Sequence, residues 1–584
     1  MILFFKNHLS KEKILIAILL IIFILFHLYL ISQTFLIDDF GNIRSTITGY
    51  GDIPLHLTQI TKFAFQNPIN LGEPIYFGQK IDYPFLINLV SGILLRITGN
   101  FSFSVLLPSF IFAACNIILV FWIYKKFLKN NLLAYISLLL FYLGSGFGAL
   151  TYLQKAFTDK LNPMQFINYL IQNNITTVVK FDSKYPIQNI DFGAPLSLVF
   201  LHQRAFFMGF FGFLIFLLLL ILMIRKTKLK LISILAGISF GLLPLMHTHS
   251  FIAATIIIFS FILVSLIKRD FTHLKYLLIA TLIGIIIAIP QLIYLTTANS
   301  ALTQTAGFII PRLGWMVPPT IGSITYPING LPTIFSFSFV QFLLINFGII
   351  LPAFLVCFAK IIYKKNLLTK NNSLMVFSFA VSGLMLFLVV QLIKLQPWDF
   401  DNNKLLVYFQ FFAIPLILFV IKNIFDHKKI TGIVIAVCFI TLALFSGTID
   451  MIPRLAMTKT TLPIIFATDA QLMANHIKRV VPQNELILTG TDHRNPVDAL
   501  AGRPVLVGYP GWLWSRGINY SEREVEIENF YKYPSINNSL IKEFNIHYVL
   551  LDNQTIVNFK ADKQTFDRNF PIIYYSGQYT LYKI

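Results

Sequence analysis

Residues 51–88 read GDIPLHLTQITKFAFQNPINLGEPIYFGQKIDYPFLIN. Acids, a histidine, tyrosines and prolines gather here, in a chain otherwise dominated by oily residues. Asp52 opens a short helix with Pro54 in its first turn, and His56 and Gln59 follow one and two turns on. Helical spacing puts Asp52, His56 and Gln59 on one face. An Asp at a helix start is a favoured N-cap and needs no further chemistry. Beside a membrane and among apolar neighbours, the same acid suits general-base work.

The whole chain sets the context. Of its 584 residues, 56% are hydrophobic and 12% charged, and repeated apolar runs are long enough to cross a hydrocarbon core. The expected fold is therefore a polytopic α-helical membrane protein. Its first apolar run, Ile14 to Ile31, has no small-residue cleavage site after it and reads as a retained span. Cys115, Cys357 and Cys438 all fall inside apolar runs, which excludes a disulfide framework or a zinc site of ligand spacing. The net charge of +20 comes from basic clusters between spans. It reads as positive-inside bias rather than a nucleic-acid surface, so no nucleic-acid partner is expected.

Those clusters order the topology. Lys6, Lys11 and Lys13 place the N-terminus inside, and Lys125 and Lys126 mark the next inner loop. An odd number of crossings must lie between them, and only Phe103 to Tyr124 is long enough. Pro84 to Thr98 then lies in the outer interface. The remaining spans are expected at 132–150, 204–224, 231–247, 250–267, 276–296, 338–359, 373–394, 404–421 and 430–446, eleven crossings in all, with the C-terminus outside. Outer loops hold nearly every acid of the membrane portion. From Asp450 the composition becomes that of a soluble α/β domain. Strands are expected at Glu485 to Leu488, Pro504 to Tyr509, His547 to Leu551 and Ile572 to Leu581, and helices at Asp469 to Arg479 and Ser539 to Phe544. Two domains follow, residues 1–449 in the membrane and 450–584 outside it.

The segment GDIPLHLTQITKFA, followed by IDYPFLINLVSGILLRITG, resembles the membrane-embedded glycosyltransferases of the GT-C superfold, in particular the protein O-mannosyltransferase and aminoarabinose transferase type. The resemblance implies two juxtamembrane helices in the first outer loop, with Asp52 in the position of the catalytic acid. It also implies a polyprenyl-phosphate sugar donor and a lipid, glycan or protein acceptor at the outer face of a cell membrane. The family acid is often followed by a second acid, whereas Ile53 follows Asp52. The adjacent pair Asp38-Asp39 is therefore a rival for the catalytic role, or a partner in holding a divalent cation, Mg or Mn.

A leaving polyprenyl phosphate needs cations near the outer interface while a base takes the acceptor's proton. Arg204, with His202 beside it in FLHQRAFFMG, fits that depth; an interfacial anchor is the plain alternative. His247 and His249 in LMHTHSF suit phosphate or substrate contact, or the capping of a turn. In QPWDFDNNKLL, Trp398 suits sugar stacking, Asp399 and Asp401 suit sugar hydroxyls, and Lys404 enters an apolar run where a cation needs a partner. His56 and Tyr83 join this substrate-binding set from the opening stretch, and Arg312 is a weaker candidate in the 297–337 loop. NPVDALAGRPVLVGYPGWLWSRGINY offers Trp512 and Trp514 for carbohydrate stacking or for an interface with the membrane part, and Arg503 and Arg516 for either role. Rival functions are a polysaccharide polymerase or ligase, a transporter or lipid flippase, and a membrane scaffold presenting the outer domain. No internal repeat or midplane polar cluster of the transporter kind is visible.

Overall fold

The computed structural model describes residues 11–46, 49–173, 192–224, 228–298, 310–316, 324–325, 337–363 and 370–584. Parts of the expected outer loops 151–203 and 297–337, including Asp182 and Asp191, fall outside those residues. The side chain of Arg312 and part of the Lys360 to Lys370 cluster do so as well.

Nine helices among the described residues are long and apolar enough to span a bilayer, from Lys11–Ser32 to Lys429–Ala456. A tenth crossing is possible through the pair Val340–Phe347 and Ile350–Tyr363, which bends by 100° at its break. This is a multi-pass membrane protein. The Asp399–His427 helix is the most enclosed of the nine, with 94% of its apolar window buried. An apolar surface on every side is what a helix surrounded by others requires.

The expected crossing at 132–150 is helical over only part of its length: Asn131 donates to Glu12 near the start of the first span, and the Leu143 carbonyl lies against Gly447 near the far end of the last. Its helix, Asn131–Leu143, has 13 residues and is about 20 Å long, against about 30 Å of hydrocarbon. The chain continues as extended backbone that is paired inside the protein: Ser145 N donates to Ala443 O at 3.0 Å and Phe147 N to Ile345 O at 2.7 Å. Gln410 on the central helix donates to the Gly144 carbonyl at 2.8 Å. Non-helical backbone at this depth is tolerated only where protein satisfies it in this way. The run of Gly144, Gly146 and Gly148 breaks the helix, and hydrophobicity alone passes over it.

In the opening stretch, helix α2 (Asp52–Phe65) and helix α3 (Leu86–Thr98) form as two short elements. With 13 residues, α3 is too short to cross a membrane upright.

The last spanning helix runs on to Ala456, through the expected domain boundary at 449/450. Beyond it, a four-stranded sheet has the order Ile487–Leu488, Tyr548–Leu551, Tyr579–Lys583, Ile572–Ser576. Its first pair is parallel and the other two antiparallel. Two strand expectations change. Ile572 to Leu581 is a hairpin rather than one strand, because Gly577 turns the chain. Pro504 to Tyr509 makes only single bridges, Val505 to Ile487 and Val507 to Tyr76. Its backbone is occupied by the loop after the first span, where Gly508 N donates to Ile75 O at 2.7 Å.

The extramembrane domain and the loop after the first span are thus built together. Ile464–Phe466 pairs with Ile43–Arg44, which pairs with Leu36–Ile37. Ile53, Leu57 and Ile60 of α2 share one apolar core with Ile465, Met473 and Val505. Thr61 Oγ1 donates to Asp498 O at 2.9 Å. Gly502 sits at φ +65°, and a Cβ there would stand 2.6 Å from the Thr61 carbonyl. Only glycine permits that approach. The domain therefore clamps α2 and fixes where its N-terminus points.

Candidate functional site

At the N-terminus of α2 a cavity of about 680 Å³ opens between the membrane helices and the extramembrane domain, a size typical of small-molecule sites. Asp52, His56, Tyr83, His202, Asp401 and Lys404 line it, and so does Trp398. These expected residues come from four separate stretches of sequence. The fold brings them to one place.

Asp52 is the first helical residue, and the N-cap position falls on Gly51 instead. The capping reading is corrected accordingly. A carboxylate in the first turn is still stabilised by the helix dipole. Asp52 Oδ2 lies 3.2 Å from His202 Nε2, and the Asp52 side chain is 38% exposed. His202 is buried; burial, with the charges of Arg454 and Lys404, pushes its imidazole down to about 3, against the opposing pull of Asp401. It is therefore neutral at pH 7, and its Nε2–H donates to the carboxylate. His56 is also held well below its ordinary value, first by burial and then by the charges of Arg204, His202 and Lys404. Its Nδ1 pairs with Asn88 Nδ2 at 3.0 Å, and Asn88 also donates to Gln59 at 2.7 Å. The face shared by Asp52, His56 and Gln59 is thereby fastened to α3. Tyr83 lies 6.2 Å from the His56 ring. Burial, reinforced by Asp52 and Asp401, keeps its phenol protonated.

The cations stand at helix ends. Lys404 pairs with Asp401 at 3.0 Å. Arg454 pairs with Asp450 at 3.5 Å, both almost fully buried, and the Ser197 hydroxyl donates to Asp450. Asp450 and Arg454 line the cavity but were not among the sequence candidates. The available signal was an acid and an arginine four residues apart at the end of an apolar run; placing the domain boundary at Asp450 hid it. Trp398 stacks on Phe400 with centroids 5.2 Å apart. Tyr509, Trp512 and Trp514 close the far side.

Other candidates lie elsewhere. Arg204 does not line the cavity. Its buried guanidinium donates to Asn88 at 3.2 Å, Ser109 at 3.1 Å, Ser91 at 2.5 Å and the Val105 carbonyl. That is a cross-link between helices, which leaves a phosphate little to bind. Asp38 holds the turn of a hairpin, accepting from Arg44 at 2.7 Å and from Asn42 and Phe40 N–H groups. Burial raises the Asp38 carboxyl, but these hydrogen bonds together outweigh it and bring it down to about 2. Asp39 is exposed beside it and outside the cavity lining. His247 caps the Thr248–Ile267 helix, accepting from Ser250 N at 3.2 Å. His249 stacks on it at 5.4 Å, within electrostatic reach of Lys404 and Asp401. Asp399 braces the Trp315 segment, its carbonyl accepting from Trp315 Nε1 at 3.0 Å. Among the described residues no three His, Cys, Asp or Glu side chains form a group able to hold a metal. Asp38 and Asp39 do not by themselves make such a group.

No protein-family model matches the sequence, and no curated protein matches it. The structure does have neighbours. The oligosaccharyltransferase of Archaeoglobus fulgidus in its apo form superposes with a TM-score of 0.51 at 12% identity, over 92% of this chain and 70% of that one. The same archaeal enzyme, AglB, in complex with an inhibitory peptide and a dolichol-phosphate gives 0.50 at 11% identity, over 97% and 74%. The chain has the GT-C fold.

ArnT from Cupriavidus metallidurans bound to undecaprenyl phosphate gives 0.46 at 8% identity, over 97% of both chains. In this GT-C protein the cavity lies where α2, the starts of two spanning helices and the end of a third converge under the extramembrane domain.

Proposed function

We propose that this protein is a membrane glycosyltransferase that moves a sugar from a polyprenyl-phosphate-linked donor to a hydroxyl acceptor on the outer face of the membrane. One observation carries the reading: the Asp52–His202 pair and the buried cations Lys404 and Arg454 line the same cavity in a GT-C fold. Basic residues at the opposite helix ends, Lys422 and Lys428–Lys429, support an outer position for the cavity. On that orientation the N-terminus is cytoplasmic and residues beyond Ala456 lie outside.

Asp52 takes the acceptor hydroxyl's proton as its oxygen attacks the anomeric carbon. The bond from that carbon to the phosphate oxygen breaks, and its electron pair leaves on polyprenyl phosphate. Direct displacement inverts the anomeric configuration. His202 donates to Asp52 and holds it in place. Lys404 and Arg454 meet the charge that develops on the phosphate, in a site where little water screens it. Each has N–H donors beyond those its own carboxylate takes.

The test is transfer of labelled hexose or pentose from polyprenyl-phosphate donors by the purified protein. Product formation supports the reading. No transfer from any donor, together with substrate-dependent transport in vesicles, contradicts it.

A further inference from the structure

The cavity has two chemically different walls. Its acids and bases come from α2, from the turn that carries His202 and from the ends of the membrane helices. The extramembrane domain contributes a stretch lined by Tyr509, Trp512 and Trp514, in which no acid or base faces the cavity. We infer that the acceptor is a carbohydrate seated on this aromatic wall, an inference that rests on the transferase reading.

The wall is built for a flat, polar ligand. Tyr509 is the N-cap of the Pro510–Ser515 helix, and its ring meets Trp512 at 5.3 Å and 77°. Gly511 makes room for that ring: a Cβ there would lie 2.5 Å from the Tyr509 Cε1. Behind the pair, His493 stands 5.3 Å from Tyr509 and 4.9 Å from Tyr50, two residues before Asp52. The aromatic cluster is therefore tied directly to the start of α2. Tyr509 is 38% exposed and Trp514 50%, more than apolar packing needs. The C–H face of a pyranose carries partial positive charge and suits the negative face of such rings. Trp398, which comes from the membrane part of the lining, is left for the donor sugar.

A peptide acceptor fits less well. Extended peptides are gripped by main-chain bonds at a sheet edge or by pockets for alternate side chains. Among the described residues that line the cavity, none lies in a strand.

Saturation-transfer NMR on the full-length protein in nanodiscs, with polyprenyl phosphate present, separates the cases. The probes are maltotriose, cellotriose, chitotriose and mannotriose, against a hexapeptide containing Ser, Thr and Asn. At least one trisaccharide should receive saturation on its ring C–H protons. Its binding should weaken about tenfold in Tyr509→Ala and also fall in Gly511→Ala, which keeps every aromatic but displaces the Tyr509 ring. Asp39→Asn, an exposed residue off the cavity, should bind as wild type does. Binding of the peptide alone, of no probe, or of sugar unchanged by both Tyr509→Ala and Gly511→Ala overturns the inference. Binding is read without turnover, so sugar binding in a protein that transfers nothing sinks the transferase reading instead.

Discussion

His202 Nε2 and Asp52 Oδ2 stand 3.2 Å apart in the lining of the cavity. Asp52 opens α2 in the loop after the first span, His202 stands in the turn before the Arg204–Ile224 helix, and only folding brings them together. A neutral imidazole there leaves the carboxylate its charge while fixing its direction, the arrangement a base needs.

His202 bears on the pH dependence of stability. Its folded value, about 3, lies below the ordinary 6.5. The unfolded chain therefore binds a proton that the folded one refuses until far lower pH. The stabilisation is fully present above pH 6.5 and is lost as pH falls from there toward 3. Thermal melting between pH 7 and 4 should show a steeper fall for wild type than for His202→Gln. Because Gln retains an N–H donor, transfer should suffer less in His202→Gln than in His202→Ala.

Arg204 is expected to act on stability. Substitution by Met strips four buried acceptors of their donor, at a cost of about 3–5 kcal/mol. The melting temperature and detergent resistance should drop. A variant that melts like wild type but has a raised KM for donor would return Arg204 to phosphate binding.

Arg516 joins the extramembrane domain to the loop after the first span. It pairs with Glu73 at 3.0 Å and Asp82 at 3.3 Å, and all three side chains are nearly buried. Arg516→Met should destabilise by about 3–5 kcal/mol, because two carboxylates lose their counter-charge. Limited proteolysis should then open the junction near residue 457. Adding Glu73→Gln should recover part of the loss, since one of those buried charges is removed.

Lys404→Met and Arg454→Met are expected to lower kcat by about 10²-fold or more, if the cations act mainly as phosphate leaves. Kinetics with a fixed acceptor will show whether the loss lies in kcat or in KM. Loss confined to KM for donor would make them ground-state binders only.

Much of the architecture was legible because hydrophobicity, charge and length are local properties. Counting crossings from basic clusters left α3 as a short element, which its 13 residues match, and the Asp-Ile-Pro start of α2 lies at the cavity. What the sequence hid was tertiary. Arg204 looks like a phosphate ligand until Asn88, Ser91, Ser109 and the Val105 carbonyl are seen around it. Pro504 to Tyr509 has the composition of a strand, yet its partner is the loop after the first span, more than 400 residues away in sequence. Asp450 and Arg454 were concealed by a helix that runs past the change in composition. The 132–150 span is helical only to Leu143, because the three glycines that follow within the apolar run weigh little on a hydropathy scale.

In the proposed reaction Asp52 is the base. The most direct test measures sugar transfer from a polyprenyl-phosphate donor by wild type, Asp52→Asn and Asp39→Asn, each checked for folding by its melting curve. Asp52→Asn should lose about 10²–10⁴-fold in rate with its melting temperature kept, and Asp39→Asn should retain activity. Full activity in Asp52→Asn, or loss only in Asp39→Asn, would contradict the account.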